Sequence, residues 1–236
     1  QLKSSDFDWD QIFDAQGARW LHTGGIFAGL SATTPDVMEA AMLSARKHGT
    51  IISYDLNFRP SLWDGLGGKA TAQKVNKKLA SLVDVMIGNE EDFTESLGFE
   101  VKGLDSNYSN LSTAPFKEMV EKVAAAYPNL QIIATTLRKV NSASDNDWGA
   151  IAWSREDGFF EVPSFTHLEI FDRVGGGDSF ASGLIYGLLE GHDLQKSLQP
   201  GQAHGALAMT TPGDTSMASK SEVEKLAAGG SARVVR

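Results

Sequence analysis

The residues best suited to chemistry lie in the stretch DRVGGGDSF, residues 172–180. Three successive glycines, Gly175, Gly176 and Gly177, permit backbone angles and close approaches that side chains forbid. They stand directly before a helical pattern. The first backbone amides of that helix are therefore predicted to have no carbonyl partner within the helix and to favour a negatively charged group. The stretch therefore predicts an anion hole that can hold an oxyanion or a phosphoryl group in transfer.

Asp178 follows the glycines directly, and its residue type allows two roles. An aspartate at a helix start is commonly the N-cap, which accepts a hydrogen bond from a backbone amide of the first turn. Beside an anion hole, the same carboxylate could be a general base. The stretch matches neither the GxxxxGK[ST] phosphate loop nor a clean GxGxxG fingerprint, so a nicotinamide enzyme is weakly supported.

Two other clusters offer what phosphoryl transfer needs beyond an anion hole, namely oxygen ligands for a cation and an arginine for an anionic substrate. The run from Asn89 to Asp92 follows the apolar segment VDVMI. It could ligate a cation, or it could simply be the acidic first turn of a helix. Arg59 precedes Pro60, which favours an extended backbone from which the guanidinium can reach across a cleft. A structural ion pair is the alternative for Arg59.

The elements that must position these clusters alternate along the chain. A helix is predicted over TTPDVMEAAMLSARKHG, with Thr34 as its N-cap and Pro35 at its first position. Strands are predicted at ARWLHTGG, TIISYDL, VDVMIG, LQIIATT and WGAIAW. This alternation predicts an α/β fold whose mainly parallel sheet is covered by helices on both faces. Ligands of such sheets bind beyond the carboxyl ends of the strands, where the polar clusters are expected.

Two polar stretches, residues 99–113 and residues 138–147 (RKVNSASDND), are predicted as loops. Neither is long or biased enough to be an interdomain linker. All 236 residues are therefore predicted to form one domain. His22 and His204 have no partner at metal-ligand spacing, so they are interpreted as packing or hydrogen-bonding residues.

The composition is that of an ordinary folded protein, with 42% hydrophobic and 22% charged residues. A net charge of -9 repels phosphates, so nucleic acid is not an expected partner. The absence of cysteine excludes disulfides, thiolate nucleophiles and cysteine metal sites. No apolar run reaches the roughly 18 to 20 residues of a membrane-spanning helix. A soluble, cytoplasmic protein without a membrane partner is expected.

Taken together and in this order, DLNFRPSLW, GNEEDF and DRVGGGDSFASG resemble the ribokinase-like (PfkB) family of sugar kinases. Within that family, DLNFRPSLW, TTLR, GGGDSFASGLIYGLL and AHGALAMTTPGDTSM are most similar to the 2-keto-3-deoxygluconate kinases. The resemblance runs from about Phe7 to the C-terminus. It implies a three-layer α/β/α ribokinase-like kinase domain over residues 1–236 that is incomplete at its N-terminus.

The resemblance also implies an activity: ATP-dependent phosphorylation of a sugar-acid hydroxyl, converting 2-keto-3-deoxygluconate to its 6-phosphate. Asp178 matches the catalytic base of the family, the three glycines match its anion hole, and Arg59 would hold the substrate carboxylate. The residues implied for magnesium are Asn89, Asp92 and Asp172. The residues implied for the nucleotide are Thr136, Arg138, Gly175, Gly177, Ala203, His204, Ala208 and Gly213.

The sequence departs from the family pattern in three ways. Asp92 replaces a commoner glutamate that is one methylene longer. Arg173 replaces a small residue, and it could touch substrate or phosphate or pair with a surface acid. The chain also lacks the N-terminal part of the pattern, including the substrate-side lid. In the family that lid commonly builds the dimer contact, so the resemblance leaves both a monomer and a homo-oligomer possible for this chain. It also leaves open whether the reaction requires a monovalent cation.

Three other functions compete with a sugar-acid kinase. A fructokinase or ribokinase would act on a neutral sugar, which offers Arg59 no carboxylate. A noncatalytic fragment would bind nucleotide without turnover, because the N-terminal part is missing. An inert globular domain is the third alternative, since caps and glycines are common at helix starts.

Overall fold

The computed structural model describes residues 1–99 and 113–230. Six strands form one sheet in the order β1-β2-β3-β4-β5-β6. Strand β1 is parallel to β2 and β2 is parallel to β3, whereas β5 and β6 are antiparallel. The predicted α/β fold with a mainly parallel sheet is confirmed. The strands are β1 (Trp20–Gly24), β2 (Ile51–Asp55), β3 (Val85–Gly88), β4 (Ile132–Ser142), β5 (Asp145–Ser154) and β6 (Gly158–Glu169).

Helices connect these strands and follow the last of them. In the described residues they are α1 (Gly25–Ala28), α2 (Thr34–Lys47), α3 (Pro60–Trp63), α4 (Gly68–Ala80), α5 (Glu90–Asp92), α6 (Ala114–Ala126), α7 (Gly176–Leu189), α8 (Leu194–Met209) and α9 (Lys220–Ala227). None of these helices is both long enough and apolar enough to cross a bilayer.

The described residues fall into two compact units. The first unit comprises residues 1–99 and 116–133, and the second comprises residues 113–115 and 134–230. Each unit has its own buried apolar residues. That residues 1–236 form one domain stays a prediction. The predicted loop at residues 99–113 lies almost wholly outside the described residues.

Helix α2 begins one residue earlier than its sequence pattern predicts. Thr33 is the N-cap and Pro35 is the second helical residue, so Thr34 as N-cap is wrong. The reason is that the buried Thr34 hydroxyl turns back to the preceding segment, where it lies 3.0 Å from the carbonyl oxygen of Ser31 and 3.2 Å from that of Ala28. Gly49, with φ +74°, follows the helix as expected.

The core of the first unit contains a polar network that is surrounded by buried apolar residues. The Tyr54 hydroxyl donates to Asn76 Oδ1 at 2.6 Å, and Asn76 Nδ2 donates to the carbonyl oxygen of Ala72 at 2.8 Å. Tyr54 and Asn76 are at most 1% exposed. Because a buried polar group costs stability unless it is hydrogen-bonded, these bonds fix β2 against α4 in one arrangement.

The predicted loop over residues 138–147 is wrong. Strand β4 continues to Ser142 and β5 starts at Asp145, so only two residues, Ala143 and Ser144, join them. A two-residue connection is the geometry of an antiparallel hairpin. The outer part of β4 is exposed or half-buried, which explains why its residues are polar although they are extended.

In the second unit, α8 packs on the sheet through a buried glutamine. Gln202 is 3% exposed, and its Nε2 donates to the carbonyl oxygens of Trp148 and Pro163. Trp148 Nε1 donates in return to the carbonyl oxygen of Gln202 at 3.1 Å. These reciprocal bonds satisfy the buried polar groups and fix α8 on β5 and β6.

Helices α7 and α8 approach so closely that Gly183 has no room for a side chain. A Cβ at Gly183 would lie 2.5 Å from the carbonyl oxygen of Pro200 and 2.9 Å from Gly201 Cα. We expect Gly183→Ala to lower the free energy of unfolding by about 1 to 3 kcal/mol, because overpacking forces the helices apart. Denaturant titration measures this. Gly65→Ala, where a Cβ meets open space, is the control, and equal stability of both variants would contradict the packing account.

Candidate active site

The loop after β2 carries Arg59 and is confined on two sides. The Leu56 amide donates to the carbonyl oxygen of Ile87 at 2.9 Å. On another side, a Cβ on Gly25 would collide with the carbonyl oxygen of Leu56. Asn57 has φ +29°, a region that residues other than glycine seldom adopt. This packing holds residues 56–59, which we call the Arg59 loop, in one path.

The Arg59 side chain is exposed, and its backbone is extended before Pro60, as predicted. Its Nη1 donates to the carbonyl oxygen of Phe58 at 2.9 Å. A guanidinium carries several N–H donors, and this bond uses only one of them. The guanidinium therefore retains donors that can bind an anion.

The predicted cation ligands Asn89 and Asp92 face each other in a capping box. Asn89 is the N-cap of α5, and its side chain accepts a hydrogen bond from the Asp92 amide at 3.0 Å. Asp92 Oδ2 accepts from the Asn89 amide at 3.1 Å. Of the two alternatives stated for this run, the acidic first turn of a helix is therefore present. Whether these residues also ligate a cation stays a prediction.

Asp92 has a further contact that links two segments. Its Oδ1 accepts a hydrogen bond from the Phe58 amide at 2.8 Å, in the Arg59 loop. The side chain is buried, and burial raises the pKa of its carboxyl group. The two backbone amides and the charge of Arg59 act in the opposite direction.

In the second unit, the turn before α7 explains the run of glycines. Gly175 is the N-cap with φ +83°, and a Cβ there would collide with the carbonyl oxygen of Asp214. Both the backbone angle and the space therefore require glycine at this position. Gly176 and Gly177 open the helix, where amides have no carbonyl partner within the helix.

Asp178 lies in the first turn of α7, and its side chain is exposed. The N-cap is Gly175, so Asp178 as N-cap is wrong. The reason is that the left-handed glycine ends the preceding turn three residues earlier. An exposed carboxylate beside first-turn amides that have no partner within the helix can accept a proton next to a bound anion. We call Gly175–Asp178 the anion-binding turn.

Asp172 shapes the segment that leads into this turn. Its Oδ1 accepts a hydrogen bond from the Val174 amide at 2.9 Å, and its own amide donates to the carbonyl oxygen of Met209 at 3.3 Å. The side chain is half-buried, whereas Arg173 is exposed. These bonds fix the entry of the chain into the anion-binding turn.

The residues predicted to contact nucleotide differ in accessibility. Ala203 and Ala208 are buried within α8, at 0% and 4% exposure. Gly213 is exposed, and Thr136 and Arg138 are half-buried on the same side of β4 because side chains alternate along a strand. Arg138 lies within this strand rather than in the predicted loop. The contacts of all five with a nucleotide stay predictions.

His204 is half-buried and faces a cavity of about 410 Å³. Its ring nitrogens lie 2.9 Å from Ser182 Oγ and 2.8 Å from Ser216 Oγ, and burial lowers its pKa. His22 is likewise hydrogen-bonded, to Ser53 Oγ at 2.8 Å. The interpretation of both histidines as hydrogen-bonding residues is confirmed. The cavity is lined by Ser182, Gly183, Tyr186, His204, Ala218, Lys220, Val223 and Glu224.

One polar cluster in the second unit was missed by sequence reasoning. Ligand atoms of Asp145, Asp147 and His167 all lie within 4.8 Å of one another. His167 Nδ1 lies 3.0 Å from Asp145 Oδ2, and its amide donates to Asp147 Oδ1 at 3.0 Å. These contacts lower the pKa of both aspartates and raise that of His167. His167 lies 20 or more positions from the two aspartates, so the cluster matches no short ligand spacing.

Comparison with known proteins assigns the family. The profile of the pfkB family carbohydrate kinases matches residues 3–221. The chain belongs to this family. The resemblance seen in the motifs, and the ribokinase-like α/β fold that it implies, are confirmed.

Three relatives are named as kinases of sugar acids. The crystal structure of 2-dehydro-3-deoxygluconokinase from Thermotoga maritima is 39% identical, with a TM-score of 0.86 over 97% of this chain and 66% of that one. The 2-dehydro-3-deoxygalactonokinase of Haloferax volcanii is 27% identical over 94% of this chain and 61% of its own length. The 2-dehydro-3-deoxygluconokinase of Bacillus subtilis is 30% identical, over 84% and 53%. This pfkB family chain therefore spans about half to two thirds of the length of these relatives.

Proposed function

We propose that the protein transfers the γ-phosphoryl group of ATP to a hydroxyl of a sugar acid, most specifically 2-keto-3-deoxygluconate (2-dehydro-3-deoxygluconate), giving its 6-phosphate. The observation that carries this proposal is the anion-binding turn, where the exposed Asp178 carboxylate stands in the first turn of α7 behind a left-handed Gly175. Membership of a carbohydrate kinase family and the names of the relatives support the reaction class. We also propose a cytoplasmic location.

In the proposed reaction, Asp178 accepts the proton of the attacking hydroxyl. The hydroxyl oxygen forms the new bond to the γ-phosphorus, and the bond between that phosphorus and the bridging oxygen of ADP breaks. The amides of Gly176 and Gly177 donate to the oxygens of the migrating phosphoryl group, whose negative charge they and the positive end of α7 stabilise. Gly177 is exposed, whereas Gly176 is buried and its amide would exchange a long bond of 3.5 Å to the carbonyl oxygen of Arg173 for one to the phosphoryl group.

In the second unit, the cavity of about 410 Å³ supports a nucleoside subsite. Its volume lies within the roughly 300 to 1,000 Å³ of small-molecule sites. The Tyr186 ring offers an apolar surface, while Lys220 Nζ, 4.9 Å from the centre of that ring, and His204 offer polar groups. We propose that ATP places its nucleoside here, with Gly213 nearby in the chain and Thr136 and Arg138 contributing to the phosphates.

Magnesium is implied by the family, and oxygen ligands that fit it are present. Asp172 uses one carboxylate oxygen for the Val174 amide, which leaves the other for a hard cation. Asn89 offers a side-chain carbonyl. When bound, Mg²⁺ neutralises charge that develops on the phosphates. In the first unit, Arg59 is proposed to bind the substrate carboxylate through a bidentate pair of hydrogen bonds.

A substrate panel tests the proposed function. The full-length protein is incubated with ATP and Mg²⁺ and with 2-keto-3-deoxygluconate, 2-keto-3-deoxygalactonate, fructose or ribose, and ADP release is followed. We expect turnover with a sugar acid and a kcat/KM at least about tenfold lower with the neutral sugars, since their lost ion pair is worth more than 1.4 kcal/mol. Preference for fructose or ribose would assign a neutral-sugar kinase, and nucleotide binding without any turnover would contradict an enzyme.

A further inference from the structure

Each oxygen of the Asp92 side chain accepts a hydrogen bond from a backbone amide of the first unit. Its Oδ1 accepts from the Phe58 amide at 2.8 Å and its Oδ2 accepts from the Asn89 amide at 3.1 Å. The residue is 6% exposed. Each carboxylate oxygen thus holds a different segment, one in the Arg59 loop and one at the start of α5. Hydrogen bonds to a charged acceptor are among the stronger ones in proteins.

The Arg59 loop depends on such an anchor. Asn57, at φ +29°, is strained, and a strained residue persists only where its surroundings hold it. Gly88 allows the loop and α5 to approach each other closely. A Cβ on Gly88 would lie only 3.3 Å from the Cβ atoms of both Leu56 and Asp92. Without Asp92, the segment between Asn57 and Arg59 loses this hydrogen bond to α5.

We propose that Asp92 is a positioning residue for substrate binding: by holding the Phe58 amide, it sets the direction of the adjacent Arg59 instead of ligating the cation. This inference rests on the proposed role of Arg59 in binding the substrate carboxylate. The short side chain makes this possible, since both its oxygens lie within 3.1 Å of amides on two segments. A glutamate carries its carboxylate one methylene farther from the backbone, so it cannot keep both contacts without moving the loop.

The test measures steady-state kinetics of the full-length protein with Asp92→Asn and Asp92→Glu. We expect each variant to raise the KM for the sugar acid by about 10-fold or more, because a charged hydrogen bond is lost or displaced. The expected kcat stays within about threefold, and the Mg²⁺ concentration for half-maximal rate and the KM for ATP do not move. Asp92→Glu retains a carboxylate that could ligate a cation. A raised KM for the sugar acid in this variant therefore reports a displaced loop and not the loss of a cation ligand.

Asp84→Asn is the matched control. Asp84 also accepts a backbone amide through its carboxylate, that of Ile52 at 2.8 Å, but at the opposite end of β2. It is expected to lower stability without changing the KM for the sugar acid. If Asp84→Asn raised that KM as much as Asp92→Asn, the effect would be general loosening of the unit, and the positioning role would be wrong.

A double-mutant cycle with Arg59→Gln completes the test. If Asp92 acts through Arg59, Asp92→Asn adds less than about twofold to the KM of the Arg59→Gln variant, since coupled residues are not additive. Full additivity, or a shift in Mg²⁺ dependence with an unchanged sugar KM, overturns the inference. Failure of the unaltered protein to phosphorylate any sugar acid refutes the proposed function instead, so the two failures are distinguishable.

Discussion

Asp178→Asn is expected to lower kcat for sugar-acid phosphorylation by about 10²- to 10⁴-fold, the usual contribution of a positioned general base. Asparagine has nearly the same shape but cannot accept the proton of the attacking hydroxyl. The Asp178 side chain is exposed and is not the N-cap of α7, so the substitution should leave the fold intact. Nucleotide affinity should therefore be retained while turnover is lost.

Single-turnover kinetics and an ATP-binding titration on the same preparation measure these two effects separately. Glu190→Gln is the matched control, because Glu190 is the exposed residue that ends the same helix. This control should keep kcat within about twofold, since most surface substitutions change little. Asp178→Asn with kcat above about a tenth of the unaltered value would show that Asp178 is not the base.

Arg59→Gln is expected to raise the KM for the sugar acid by about 100-fold, because a charge-assisted bidentate pair is replaced by one neutral hydrogen bond. Arg59→Lys should give a smaller loss, about 10-fold, since a lysine keeps the charge but not the planar pair of donors. Both expectations follow from a guanidinium that is exposed and extended before Pro60.

The comparison substrate decides what Arg59 recognises. Activity on a neutral sugar, however low, should change less than about threefold in Arg59→Gln, because no carboxylate is lost. Arg19→Gln, at an exposed arginine of the same unit, should leave the kinetics for both substrates unchanged. Equal losses on the sugar acid and the neutral sugar would contradict a carboxylate-binding role.

The elements that the sequence predicted best are those with clear local signals. Strand β2 begins with two β-branched residues, and α7 follows Gly175, a glycine that the turn requires. Helix α2 was predicted within one residue, because proline and glycine mark its ends. The error at its N-cap arose because the buried Thr34 hydroxyl contacts the carbonyl oxygens of Ser31 and Ala28 instead of an amide of the first turn.

The hairpin of β4 and β5 was missed for a different reason. Its exposed half is polar, and polarity at residues 138–142 was interpreted as a loop. The sequence signal of a surface strand is the alternation of apolar and polar residues. This alternation is weak where both faces of the strand are solvated. Arg138 therefore lies within β4 and not in a loop after the apolar run LQIIA.

Contacts between distant residues could not be predicted from sequence at all. The bond from the Phe58 amide to Asp92 joins residues 34 positions apart, and it gives Asp92 a structural partner that the motif does not reveal. The cluster of Asp145, Asp147 and His167 forms only because β5 and β6 pair in a particular register. Such register is a property of the folded sheet, not of either strand.

The proposed reaction requires the anion-binding turn to hold the phosphoryl group during transfer beside Asp178. A crystal structure of the full-length protein with ADP, Mg²⁺, aluminium fluoride and the sugar acid tests this. We expect aluminium fluoride within hydrogen-bond distance of the Gly176 or Gly177 amide, with an Asp178 carboxylate oxygen at about 2.6 to 3.2 Å from the acceptor hydroxyl. Aluminium fluoride bound away from this turn, or an acceptor hydroxyl that contacts a different base, would contradict it.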